Sequence, residues 1–162
     1  MSKDKFTNMI FNNINNLPVV TQFEAIYGEQ IAQEYPELAN KSIRIYTDQQ
    51  GEGFIKKCDD RNDSPYTSNH VVNEIMRSEE IYIRCGFTIE EEYAILAHEL
   101  GHMIAGLRGE KVQNNLQEEK NADQMTVNLG LADHMKSAIQ KMINLAIHPE
   151  NNAEMLQRIA VL

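Results

Sequence analysis

Residues 98–102 read His-Glu-Leu-Gly-His, and this pair of imidazoles one helical turn apart constrains the chain more than any other feature. At 3.6 residues per turn, positions i and i+4 leave the same face of a helix, so His98 and His102 can present ring nitrogens to one ion. On a strand the two residues would lie roughly 13 Å apart, too far for one ion with metal–nitrogen bonds of about 2 Å. The flanking residues predict the helix. Thr88 and Glu91 make a T-x-x-E capping box, and Tyr93, Ala97, Leu100, Ile104 and Leu107 recur at spacings of three and four as the expected buried stripe. Gly106 and Gly109 offer the stop. Glu99 is turned about 100° from His98, so its carboxylate can reach a water beside the ion without being a ligand.

Two histidines and one open water position leave a tetrahedral site one protein donor short. The candidate is Glu119, on a second predicted helix from Leu116 to Leu129 that ends at Gly130. Asp123 lies one turn further on the same face, where it can accept the other N–H of a ligating histidine, His98 in the first place. Glu118 is the rival ligand, but it points about 100° away and has no acidic partner four residues on.

His-Glu-Leu-Gly-His followed by Glu119-Lys120-Asn121-Ala122-Asp123 resembles the gluzincin zinc metallopeptidases. Ile81-Tyr82-Ile83, Gly86-Phe87 and the run Glu90 to Ala97 leading into the histidines look like the strand and active-site helix of the HtpX and CAAX-prenyl-protease group. Glu119 through Leu131 looks like that group's glutamate helix, and His148-Pro149 with Arg158-Ile159 echoes a later family segment. The resemblance spans roughly Val71 to Leu162. Members of that group are usually membrane-embedded, whereas this chain has no apolar run approaching the ~20 residues a span requires. Its His-Pro and Arg-Ile elements also stand about one helical turn further apart than in the family, which weakens the carry-over of His148 or Arg158 as oxyanion stabilisers. The soluble ImmA/IrrE metallopeptidases share the chain's size, its lack of spans and its L-A-H-E-L-G-H context.

The resemblance implies a zinc endopeptidase: His98, His102 and Glu119 on Zn2+, Glu99 as general base toward the activated water, and a protein or peptide substrate. His148 is the candidate donor to the developing oxyanion. The strand Ile81 to Cys85 is a candidate edge for an extended substrate. The alternative is a latent or non-proteolytic regulatory protein in which the same metal pins helices together.

Fifteen Lys and Arg against twenty-four Asp and Glu give the 162-residue chain a formal charge of −9, which disfavours nonspecific nucleic-acid binding and attraction to anionic membranes. The N-terminal stretch lacks an uninterrupted apolar signal core, so a soluble cytoplasmic protein is expected. Cys58 and Cys85 are too few for a disulfide framework and read as reduced thiols. The oligomeric state is not legible.

The predicted organisation is one α+β zincin-like domain, mostly helical, with about three strands beside the His98 helix. Residues 1–40 are read as helices, one over Phe6–Leu17 closed by Pro18 and one opened by Thr21 and Glu24 and closed by Pro36. Residues 41–86 are read as the sheet, with a hairpin pairing Ile43–Thr47 and Phe54–Cys58, a loop over Asp59–Ser68 and a short helix over Asn69–Met76. Residues 87–131 carry the metal helices and 132–162 the C-terminal ones, with Pro149 in the first turn of the last. The methionines 103, 125, 135, 142 and 155 read as core filler.

Overall fold

The computed structural model describes residues 18–38, 87–109, 114, 116–145 and 149–162 with their side chains, and 11–13, 39–40, 43–47, 66–68, 71–72, 75–76, 79–83 and 115 by backbone alone. Five α-helices order the described chain: α1 (Pro18–Glu34), α2 (Ile89–Leu107), α3 (Asn115–Asn128), α4 (Ala132–Asn144) and α5 (Asn152–Val161). Short 3-10 turns at Pro36–Asn40 and Pro149–Asn151 follow α1 and precede α5. Pro18 opens α1, its fixed φ suiting a first turn where no N–H partner is needed, so the helix starts ahead of the Thr21 box.

The expected α+β class is corrected. Of the residues described with side chains, 88% are helical and none lies in a strand. The buried core, from Val20, Phe23 and Ile31 through Leu96 and Leu100 to Ala138, Ile139 and Met155, comes from helices and the turns that join them. Extended pairing is found only where the backbone alone is described: Ile43–Thr47 runs parallel to Glu79–Ile83 and to Phe11–Asn13, rather than into a hairpin. Val71–Val72 and Ile75–Met76 likewise pair as short strands where a helix was expected. The alternation of Ile43 and Ile45 predicts extended backbone correctly but does not tell whether that backbone builds the core. The expected partner strand at 54–58, with Cys58, and also Cys85 and His70, lie outside the described residues.

Helix α2 is the centre of the bundle. Twelve of its residues are buried, including Ala94, Ile95, Leu96 and Met103 in addition to Tyr93, Ala97, Leu100 and Ile104 of the predicted stripe, whose last member, Leu107, is half-buried. A helix buried all round needs neighbours on several sides, and α3, α4 and α1 supply them. On the α1 side, Phe23, Tyr27 and Tyr93 form a ring cluster with centroids 5.0 to 6.0 Å apart. The end of α3 is set by Gly130, whose φ of 76° permits the closing bonds Gly130 N–H to Val127 O at 3.0 Å and Leu131 N–H to Thr126 O at 2.7 Å.

The Thr88 capping box does more than start α2. The Glu91 carboxylate accepts from the Thr88 backbone N–H at 2.8 Å, and also from Lys141 Nζ and Ser137 Oγ on α4, each at 2.5 Å. Burial alone would push this 2% exposed carboxyl up, but the Lys141 and Ser137 contacts outweigh burial and bring it from 4.5 down to about 2. A depressed carboxyl stabilises the fold above its unfolded value and loses that contribution as pH falls from about 4.5 toward about 2. At 1.36 kcal/mol per unit the contribution is bounded at about 3 kcal/mol. Glu91→Gln is therefore expected to cost about 2–3 kcal/mol at pH 7 and almost nothing near pH 2. Urea unfolding across that range checks it; a pH-independent difference would contradict the assignment.

Candidate metal centre

Helices α2 and α3 cross so that the sequence-predicted donors converge. His98 Nε2 lies 2.9 Å and His102 Nε2 3.4 Å from the same Glu119 oxygen, Oε2. The three donor atoms all lie within 4.8 Å of one another, a group that could hold a metal ion. With bonds of about 2.0–2.2 Å, donors at the corners of a tetrahedron stand roughly 3.4 Å apart, so the carboxylate–imidazole edges need only a few tenths of an ångström of adjustment. Glu118 is exposed and takes no part. His98 is nearly enclosed, while the His102 and Glu119 side chains keep 16% and 35% of their surface, so the centre opens on their side.

Close approach of the two helices depends on Gly101. A Cβ placed there would stand 2.4 Å from the Ala122 carbonyl oxygen and 2.8 Å from Ala122 Cα. Both are main-chain atoms that cannot swing aside, so only glycine lets α3 come near enough for Glu119 to meet the rings. The sequence signal was present but unread: a glycine inside a helix costs about 1 kcal/mol against alanine and asks for a packing reason.

Behind the donors, Asp123 Oδ1 sits 2.7 Å from His98 Nδ1, which turns Nε2 toward Glu119. Arg158, from α5, grips the same carboxylate with Nε to Oδ2 at 2.9 Å and Nη2 to Oδ1 at 2.8 Å. Burial would raise Asp123 and Glu119, but their hydrogen bonds to the histidines, and Arg158 on Asp123, hold both below the ordinary carboxylate range. Burial likewise opposes charge on His98, yet Asp123 and Glu119 outweigh it and hold the ring above its usual value. A metal ion held by these side chains would take the place of that proton.

No family model matches the chain, and neither a curated protein nor a solved structure matches it. Glu99 stands beside the donors without joining them. It is 3% exposed, and its Oε2 meets no hydrogen-bond donor among the described residues. Burial pushes its carboxyl up to about 7 against the pull of His98 and His102. His148 lies outside the described residues. His134 is exposed, and all five methionines read as core filler are buried. Among the described residues, no helix is long and apolar enough to cross a membrane.

Proposed function

We propose that this chain is a zinc-dependent metallopeptidase of the gluzincin kind that hydrolyses peptide bonds, with His98, His102 and Glu119 as metal donors and Glu99 as general base. The observation that carries this reading is the convergence of three donor atoms within 4.8 Å beside a buried carboxylate oxygen that no described residue satisfies. Two imidazoles and a carboxylate are a donor set that suits zinc, with a position left for water or substrate. When bound, zinc in such a set supplies Lewis acidity toward water and a substrate carbonyl. Glu99, buried beside the donors with one carboxylate oxygen unsatisfied, takes a proton from the attacking water and returns it to the departing amine. A centre that only pinned helices together would have no use for such a carboxylate. The exposed side of His102 and Glu119 is the approach for the substrate peptide. The two lone cysteines suit a reducing compartment such as the cytoplasm.

The test is loss and rescue by metal. Protein carrying about one zinc per chain is expected to cleave an unstructured substrate such as casein, to stop on chelation and to recover with added zinc. Chelation also lowers the melting temperature, because the ion binds the folded chain. Stoichiometric zinc with no cleavage of casein or of a random peptide library would instead favour the non-proteolytic, zinc-stabilised reading.

A further inference from the structure

We infer that Arg158 is a positioning residue for the metal donors: it orients Asp123, and through it His98, so that the last helix must be docked for the centre to grip its ion. The inference rests on the reading of His98, His102 and Glu119 as donors. Arg158 is 7% exposed, and its neighbours along the chain, Met155 and Ile159 in the same helix and Leu162 at its end, are buried or partly buried against the apolar core. Packing alone would be served there by methionine or leucine. The guanidinium instead meets both oxygens of Asp123 at 2.9 and 2.8 Å, a two-pronged contact that fixes the plane of the carboxylate as well as its place.

That plane decides the histidine. Asp123 Oδ1 accepts from Arg158 Nη2 and also lies 2.7 Å from His98 Nδ1, with Nη2 3.4 Å from the same ring nitrogen. A carboxylate that could rotate would let the ring turn, carrying Nε2 away from Glu119. Arg158 Nη1 also stands 3.6 Å from Glu119 Oε2, so one side chain spans the partner of one donor and the edge of another. Lysine supplies the charge without the fork and cannot hold two oxygens in one plane.

Cobalt(II) is the probe, read by chelator competition for affinity and by its visible d–d band for donor geometry, with far-UV circular dichroism as the folding control. Arg158→Met is expected to weaken cobalt binding by about 10–100-fold and to change the shape of the band, as is Asp123→Asn. Arg158→Lys is expected to restore little of the affinity despite keeping the charge. In the double variant, Asp123→Asn with Arg158→Met, the loss should stay nearer that of Asp123→Asn alone than the product of the two single losses, because Arg158 acts chiefly through Asp123. The lysine variant keeps the charge and the double variant leaves no unpaired buried carboxylate, so both carry the comparison however Arg158→Met folds. Wild-type affinity and band in Arg158→Lys would overturn the inference, as would losses that multiply in the double variant. Wild-type protein that binds no cobalt would overturn the donor reading itself, a result distinct from either.

Discussion

Glu99→Gln is expected to lower peptide hydrolysis by about 10²–10⁴-fold while the metal stays bound. The substitution keeps shape and volume and removes only the ability to accept a proton. Because Glu99 is not among the converging donors, zinc content and the cobalt band should match the wild-type protein. Stability should move the other way. In chelated protein, burial raises Glu99 from 4.5 to about 7, so its charged form burdens the fold increasingly across that interval and fully above it. The neutral amide removes this burden, and Glu99→Gln without metal should melt no lower than wild type at pH 8. Activity lost with stability kept or gained is the mark of a group held in place for chemistry. Hydrolysis within a few-fold of wild type would remove Glu99 from the mechanism.

The second large effect is structural and falls on a residue with no side chain. Gly101→Ala forces a methyl against the Ala122 main chain at 2.4 Å, so α2 and α3 must separate. Overpacking of this kind costs about 1–3 kcal/mol, partly offset by the better helix propensity of alanine. A fall of several degrees in melting temperature is expected, at about 2–4 °C per kcal/mol for a chain of this length. Metal affinity should suffer more than stability, because Glu119 stands one turn before Ala122 on the helix that is displaced. Gly106→Ala is the matched control: nothing lies within 4 Å of its added Cβ, and it should be neutral or slightly stabilising. Equal behaviour of the two variants would show that helix approach does not set the centre.

Much of this site was legible before any coordinates, because it rests on rules local to one helix. The i, i+4 histidines, the Thr88–Glu91 box and the Glu119–Asp123 interval depend on helical period alone, and the helices α2 and α3 run within a residue or two of their predicted limits. The same locality misled the class. Period-two alternation at Ile43 and Ile45 speaks of extended backbone, but the described core is made where helices meet, and that depends on partners distant in the chain. The first predicted helix was closed at Pro18, although a proline there opens one equally well.

Arg158 and Gly101 mark the other side of the boundary. Nothing within a few residues of Arg158 says that its fork will meet Asp123, thirty-five positions earlier, and nothing near Gly101 says that a carbonyl of another helix will occupy the space of its absent methyl. Short-range hydrogen bonding and helical period are written in consecutive residues, so the candidate donors could be named from them. Which surfaces approach, how closely, and which buried charges then balance one another arise from packing between distant segments, and those were set when the five helices came together.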